Sequence, residues 1–263
     1  MLFYFKYTVI NLLLFLKNIF LSPFSMLARH RLSATREILR YPFFGSYLVQ
    51  LSDLLKNDDL SLTLAPVKSR EHNVTAFELL SICALVKDIN AKKVFEIGTY
   101  DGRTSRAIAM NLPEDGMLYT LNLHPETKKV DLQTSQVDVN LAAKVESGER
   151  FLNKPEAQKI KQVWGDSAKY DFSDYYGDMD AVFIDGAHSA AYAQNDTEIA
   201  LKLVKKSGGL IIWHDAHLYG VVKYLQSWIS TYKYPVYFIK ETTVAVLLVK
   251  DGRPADLKSY NHG

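Results

Sequence analysis

The sequence predicts an α/β fold: a mostly parallel sheet of seven strands with helices on both faces, ending in a C-terminal antiparallel hairpin. From about residue 74, short apolar runs alternate with longer segments of helical character, which is typical of repeated strand–helix–strand units. The last two apolar runs, at 234–240 and 242–250, are joined by a short polar turn, and this favours an antiparallel pair. A helical N-terminal extension is expected before the sheet.

The predicted elements follow one another without an internal repeat. Polar Asn73 and Thr75 are candidate N-caps of a first helix that reaches Val86, and a long polar insertion occupies 124–157. The predicted strands before the hairpin are 92–98, 116–123, 159–166, 179–186 and 208–215. The predicted helices between them are 103–112, a short one near 167–175, 189–205 and 221–231. The chain is thereby divided into three parts: an apolar, helical segment (1–72), the α/β domain (73–250) and a tail (251–263).

Residues 1–22 are strongly apolar, but they do not have the pattern of a spanning helix or of a cleavable signal. Lys6 and Lys17 leave ten residues between them, which is about 16 Å of helix against about 30 Å of bilayer hydrocarbon. On a helical wheel the two lysines share one side with Asn11 and Asn18. This pattern predicts a helix that lies on a membrane surface or docks on the protein itself or on a second subunit in a homo-oligomer. A short membrane span with snorkelling lysines is the third, less favoured alternative.

Composition excludes some classes of partner. The formal net charge of +2 and the lack of a basic stripe argue against nucleic acid. The single cysteine, Cys83, lies in an apolar stretch and is expected to be a buried structural thiol, so the chain has no internal disulfide. These features fit a protein in the reducing cytoplasm. Association with a membrane through residues 1–22 is an additional expectation.

The segment 94–105 carries the first chemical motif. An apolar strand ends in an acidic residue and a glycine, and a second glycine four positions on opens a helix. Gly98 allows backbone to approach a ligand closely, and the first N–H groups of the helix can bind a carboxylate. The G-x-x-x-G spacing differs from the G-x-G-x-x-G of dinucleotide-binding folds.

This segment resembles motif I of class I S-adenosylmethionine-dependent methyltransferases, and among them the catechol O-methyltransferase-like loop G-x-Y-x-G-x-[ST]. The resemblance implies a Rossmann-like fold with S-adenosylmethionine as cofactor. Gly98 and Gly102 would line its methionine moiety, Thr104 would hold the carboxylate, and Glu96 would lie near the ammonium. The cofactor-binding residues implied in this segment are Glu96, Gly98, Thr99, Tyr100, Gly102 and Thr104.

The next two strand ends complete the expected cofactor site. Methyltransferases usually have an acidic residue for the ribose hydroxyls where this chain has Asn122, which offers one carbonyl acceptor without charge. Asn122 is otherwise a turn residue, and Glu126 is an alternative ribose ligand. Asp166 resembles the position that accepts from the adenine amino group, with Ser167 beside it. The same Asp-Ser pair is also a common helix N-cap.

Two further segments, 183–188 (FIDGAH) and 212–217 (IWHDAH), follow strands whose carboxyl ends should be adjacent. Four side chains are therefore expected to converge at that edge of the sheet: Asp185, His188, His214 and Asp215. The surrounding sequence resembles macrocin-type sugar O-methyltransferases, in which a D-G-x-H motif and an acidic pair bind a divalent cation.

By that resemblance Asp185 and Asp215 are metal ligands, His214 takes the ligand position that is acidic in relatives, and His188 is the general base. Asp185 would also contact the cofactor. Two carboxylates and an imidazole suit Mg²⁺, Mn²⁺ or a softer ion.

The sequence therefore predicts an O-methyltransferase that acts on a hydroxylated small molecule or glycan, with acceptor specificity in 124–157 and in the N-terminal segment. A metal-dependent hydrolase built on the four converging side chains is one alternative. A non-catalytic, membrane-associated scaffold with a decayed site is another, suggested by Asn122 and by Ser207 where relatives often have proline.

Overall fold

A mixed sheet of nine strands runs through the residues that the structure, a computed structural model, describes: 47–65, 68–127, 129–144 and 146–261. The strands are β1 (Leu48–Val49), β2 (Lys93–Ile97), β3 (Met117–Asn122), β4 (Ile160–Trp164), β5 (Ala181–Ile184), β6 (Gly208–Trp213), β7 (Tyr237–Ile239), β8 (Ala245–Lys250) and β9 (Arg253–Ala255). The α-helices are α1 (Leu51–Leu54), α2 (Ala76–Asp88), α3 (Arg103–Asn111), α4 (Gln136–Lys144), α5 (Ala190–Leu203), α6 (Tyr219–Tyr232) and α7 (Leu257–Asn261).

The strand order is β1-β7-β8-β6-β5-β2-β3-β4, with β9 beside β8. Strands β2 to β6 pair in parallel, whereas β8 is antiparallel to β6, to β7 and to β9. The predicted mostly parallel sheet and its closing hairpin are confirmed. The structure adds β1 and β9, and residues 253–261, which the sequence assigned to a tail, form β9 and α7.

The helix α2 shows how local sequence sets an element's start. Thr75 and Glu78 form a reciprocal capping box: the Glu78 N–H donates to Thr75 Oγ1 over 3.2 Å, and the Thr75 N–H donates to Glu78 Oε2 over 2.7 Å. Of the two expected caps, Thr75 is the one used. Cys83 is fully buried in this helix and burial raises the pKa of its thiol to about 12, which confirms a structural thiol.

Side chains alternate between the two faces of the sheet, as the period of a strand requires. In β2, Val94 belongs to the core cluster that α2 and α3 cover, together with Phe183 and Ile212 of the neighbouring strands. Phe95 points to the opposite face, where its ring packs against Phe172 at 5.4 Å between centroids. Helices therefore cover a sheet that is apolar on both sides.

Three segments differ from the prediction. The expected helix near 167–175 is reduced to a 3₁₀ turn at Ser173–Tyr175, and the insertion contains a helix, α4, and a 3₁₀ turn at Pro155–Lys159. Residues 49–72 belong to the same compact unit as the sheet, whereas the sequence grouped them with the N-terminal segment.

Among the described helices, none has the length and apolar character needed to cross a bilayer. The predicted surface helix at 1–22 lies outside the described residues.

Candidate functional site

A cavity of about 180 Å³ opens where the parallel strands end, and we call it the central pocket. The loops after β2, β3, β4, β5 and β6 line it, together with the insertion that contains α4. It brings together ten of the residues predicted from the sequence: Gly98, Thr99, Tyr100, Thr104, Asn122, Asp166, Ser167, Asp185, His188 and Asp215. Three predicted residues do not line it: Glu96, Gly102 and His214.

Gly98 has a positive φ of 104° and lies against the loop that follows β5. A Cβ added there would lie 2.1 Å from the Asp185 carbonyl oxygen and 2.9 Å from the Gly186 nitrogen. Glycine is therefore required by backbone packing within the protein. The predicted reason, space for a ligand, is incomplete, because the neighbouring strand end already excludes any side chain.

Gly102 is the N-cap of α3 in a left-handed conformation, with φ 80°. An added Cβ would lie 2.6 Å from the Phe151 ring and 2.9 Å from Gly148 Cα. The predicted contact of Gly102 with the cofactor is thus not supported, and the residue instead lets the 148–151 turn approach α3. Thr104, two residues into the helix, does line the central pocket.

Glu96 is completely buried beneath the pocket. Its Oε2 accepts hydrogen bonds from the hydroxyls of Ser105 and Thr120, the latter over 2.5 Å. Burial raises its pKa to about 8, against these two hydrogen bonds, which lower it. The carboxyl group therefore links β2, β3 and α3, and its predicted place near the cofactor's ammonium stays a prediction.

Asn122 lines the pocket but directs its carbonyl at the motif I loop. Its Oδ1 accepts from the N–H groups of Thr99 at 3.2 Å and Tyr100 at 3.4 Å, and its Nδ2 donates to the Leu123 carbonyl. A carboxylate there would also accept these bonds, so asparagine keeps the loop in place without charge. Glu126, the alternative ribose ligand, has a 90% exposed side chain outside the pocket.

The Asp166 carboxylate, at the end of β4, accepts several hydrogen bonds. The Tyr192 hydroxyl donates to its carboxylate over 2.8 Å, and the N–H groups of Asp131 and Ala168 donate over 2.8 and 3.0 Å. The Asp-Ser pair does not start an α-helix here. Asp166 and Ser167 remain at the pocket wall, as predicted.

At the other end of the pocket, Asp185, His188 and Asp215 offer ligand atoms that all lie within 4.8 Å of one another. We call these three residues the acidic–histidine cluster. His188 Nε2 is 3.2 Å from Asp215 Oδ2. Asp185 and Asp215 at this separation are compatible with the predicted divalent cation, and the third member, His188, was predicted as the base and not as a ligand.

His214 is not part of that donor set. Its Nδ1 lies 3.0 Å from Asp185 Oδ1, and its Nε2 lies 3.3 Å from Glu78 Oε2. Burial lowers the pKa of His214, but Asp185, Asp215 and Glu78 outweigh it and raise the pKa well above its usual value. His214 thereby links Glu78 to the two carboxylates. Its predicted role as a metal ligand stays a prediction.

His188 is held on both sides. Its Nδ1 is 2.9 Å from Asp138 Oδ1, and Nε2 faces Asp215. Burial lowers the pKa of His188, but the bonds to Asp138 and Asp215 outweigh it and raise the pKa to about 10. Burial raises the pKa of Asp215, yet His188 and His214 hold it well below its usual range. Before His188 can accept a proton from an acceptor, its own ring proton must leave.

Three carboxylates of the site went unrecognised in the sequence: Glu78, Asp101 and Asp138. A signal existed for two of them, since T-x-x-E at 75–78 and S-x-x-D at 135–138 are helix-start patterns. Asp101 had none. It is 1% exposed and accepts from Arg150 Nε at 2.6 Å and Asn73 Nδ2 at 3.1 Å, tying two distant segments to the motif I loop.

The family model of the O-methyltransferases matches residues 67–233. A putative caffeoyl-CoA O-methyltransferase of Arabidopsis thaliana is 27% identical over 194 residues, which cover 72% of this chain and 76% of the relative. Caffeoyl-CoA O-methyltransferase 2 of Petunia hybrida is 33% identical over 101 residues, covering 38% of this chain and 37% of the relative.

Among solved structures, a putative O-methyltransferase from Klebsiella pneumoniae superposes with a TM-score of 0.49 at 17% identity, covering 81% of this chain and 96% of that one. The family match covers the motif I loop, the central pocket and the acidic–histidine cluster. The chain belongs to the O-methyltransferase family and is an S-adenosylmethionine-dependent enzyme of that family.

Proposed function

We propose that this O-methyltransferase acts on a hydroxyl group of a small molecule, bound in the central pocket beside the acidic–histidine cluster. The observation that carries the proposal is the convergence of Asp185, His188 and Asp215 in the same pocket as the motif I loop. The names of the curated relatives specify caffeoyl-CoA, which makes a phenolic hydroxyl the first acceptor class to test. A sugar hydroxyl on a glycan is the second.

S-adenosylmethionine is proposed to lie along the ends of β2 to β5. Thr104 and the Thr99–Tyr100 loop would contact its methionine moiety. Asn122 would lie beside the ribose, and Asp166 with Ser167 would meet the adenine ring. All of these residues line one continuous cavity, which supports a single extended ligand.

Methyl transfer breaks the bond between sulfur and the methyl carbon, returns the electron pair to sulfur and forms a new carbon–oxygen bond. The protein contributes mainly by aligning the two reactants, because an in-line displacement depends on near-contact geometry. We propose that His188 Nε2 takes the proton of the acceptor hydroxyl, a step worth about 10²–10⁴-fold in rate. A Mg²⁺ or Mn²⁺ ion held by Asp185 and Asp215 would supply electrostatic stabilisation of the acceptor alkoxide.

Calorimetric titration with S-adenosylhomocysteine tests the cofactor assignment, with binding expected in the micromolar range or tighter. Methylation of caffeoyl-CoA and of simple catechols, assayed with Mg²⁺ and with EDTA, then tests the acceptor class and the metal. If the protein binds no S-adenosylhomocysteine, the proposed site is wrong. Hydrolysis of an ester or phosphodiester without methyl transfer would favour the metal-dependent hydrolase instead.

A further inference from the structure

We propose that Asp138 is a positioning residue: it fixes the imidazole of His188 so that Nε2 faces the carboxylates of Asp185 and Asp215. The insertion that contains α4 thereby becomes part of the reaction site. This inference rests on the proposed role of His188 in methyl transfer and assigns a function to a segment that lies outside the methyltransferase motifs.

The carboxylate of Asp138 contacts His188 twice. Oδ1 lies 2.9 Å from the ring Nδ1, and Oδ2 accepts the His188 backbone N–H over 3.4 Å. One carboxylate thus contacts both the backbone and the ring of the histidine. A turn of the imidazole about its side-chain bonds would break the ring contact, so the pair restricts the ring to one orientation.

In that orientation the other ring nitrogen points into the site. His188 Nε2 lies 3.2 Å from Asp215 Oδ2. When Nδ1–H donates to a carboxylate, the proton of the neutral ring stays on Nδ1 and the lone pair is on Nε2. Asp138 therefore fixes which ring nitrogen faces Asp215 and, once the ring has lost its second proton, leaves the lone pair on Nε2.

Asp138 is itself held in place. The Thr134 hydroxyl donates to its Oδ2 over 2.7 Å, and its own N–H donates to Ser135 Oγ over 3.1 Å at the start of α4. A carboxylate in the first turn of a helix is also favoured by the helix dipole. Its side chain is only 13% exposed, which strengthens the hydrogen bond to the histidine relative to one in water.

The insertion is tied to the opposite end of the pocket as well. The Asp131 N–H donates to Asp166 over 2.8 Å, and the Leu132 N–H donates to the Tyr192 hydroxyl over 3.5 Å. Residues 129–144 therefore connect the expected adenine end of the pocket with His188. The same segment therefore lines the ligand pocket and, through Asp138, orients the histidine.

The experiment uses the full chain with ¹⁵N-labelled histidine rings and long-range ¹H–¹⁵N correlation spectra. His188→Gln identifies the signals of His188. Asp138→Leu removes the acceptor at similar size, Asp138→Asn keeps one acceptor oxygen, and Glu146→Gln removes an exposed negative charge from the same insertion as a matched control. We expect the exchange of the His188 Nδ1 proton with water to be at least tenfold faster in Asp138→Leu, and nearly unchanged in Asp138→Asn and Glu146→Gln.

An unchanged His188 spectrum in Asp138→Leu would overturn the proposal, even if the variant is less stable, because a purely structural role lowers stability without releasing the ring. If Asp138→Leu does not fold, Thr134→Val removes the hydroxyl that holds Asp138. That variant must then accelerate exchange of the same proton, or the proposal fails. Titration of each variant with S-adenosylhomocysteine is a separate readout. If the unmodified chain does not bind S-adenosylhomocysteine, the proposed function is refuted. The spectra still decide the role of Asp138.

Discussion

At the scale of single residues, His188 and His214 lie beside the same two carboxylates but differ in what they can reach. The His214 side chain is 8% exposed and has Glu78 behind it, whereas that of His188 is 27% exposed and lines the central pocket. Both rings carry raised pKa values because carboxylates surround them. Of the two, His188 lines the pocket and is therefore the histidine that we propose as the base.

Replacing His188 with alanine is expected to lower turnover by about 10²–10⁴-fold and to leave the affinity for S-adenosylhomocysteine within about twofold. Part of the lost rate should return at high pH, where the acceptor hydroxyl ionises without a base. His124→Ala is the control, since that histidine is exposed and outside the pocket. Steady-state rates and calorimetry check both statements, and full activity of the alanine variant would exclude the base role.

Glu96 gives a prediction about stability and pH. Its pKa is about 8 in the folded protein, against an ordinary value of 4.5, so the folded state keeps a proton that the unfolded chain releases. The free energy of unfolding should therefore fall as pH rises from about 4.5 to 8, by at most about 1.4 kcal/mol per pH unit from this group.

Urea unfolding at several pH values between 5 and 8 measures this slope. Glu96→Gln should flatten it, because glutamine cannot ionise, whereas Glu114→Gln at an exposed position should leave it as in the unmodified protein. An identical slope in all three proteins would show that the Glu96 carboxyl is not protonated in the fold.

At the scale of elements, strands were predictable and the insertion was not. Buried parallel strands consist of continuous apolar runs such as 181–184, which stand out from polar loops. The helix α4 has no such signal: QVDVNLAAK is mixed, and contacts from Asp138 and Asp131 to distant strand ends hold its segment. β9 had a signal that went unused, since Asp251-Gly252 joins it to β8 as a two-residue hairpin turn.

The same contrast holds within the site. Motif spacing predicted the pocket residues near Gly98 and Asp185 because both motifs end strands that the parallel order makes neighbours. The positions of Glu96 and His214 outside the lining of the central pocket have one physical cause. Each is a polar residue within or just after a strand, and the period of two turns it into the core and away from the ligand edge.

The junction between β2 and β5 gives a prediction for Gly98. Gly98→Ala places a Cβ within 2.5 Å of two backbone atoms of Asp185, so the two strand ends must move apart. Gly177→Ala is the matched control: its φ is +69°, but no atom lies within 4 Å of the added Cβ. We expect the control to lose about 1–2 kcal/mol of stability from backbone strain alone, and Gly98→Ala to lose clearly more.

Chemical unfolding measures both variants, and calorimetry with S-adenosylhomocysteine shows whether binding falls with stability. Equal destabilisation of the two alanine variants would mean that close packing on β5 does not constrain Gly98.

At the scale of the whole described molecule, three carboxylates connect peripheral segments to the ligand edge of the sheet. Asp101 ties Asn73 and Arg150 to the motif I loop, Asp138 ties α4 to His188, and Glu78 accepts from the Thr243 N–H beyond β7 over 2.7 Å. Each bond joins residues far apart in sequence. The pocket therefore depends on the assembled fold, and its walls cannot be located from any one motif.

The N-terminal residues 1–22 give the last prediction, which rests on sequence because they lie outside the described residues. On a helical wheel the sequence places Lys6 and Lys17 on one polar side of an otherwise apolar segment, so binding to a membrane surface should combine apolar burial with attraction to anionic lipids. We expect the full chain to co-sediment with vesicles that contain phosphatidylserine, and less with vesicles of phosphatidylcholine alone. Removal of residues 1–22 should leave the protein in the supernatant with unchanged affinity for S-adenosylhomocysteine.

If the full chain stays in the supernatant with both kinds of vesicle, the segment docks on protein instead. Its removal should then change the oligomeric state or lower the free energy of unfolding.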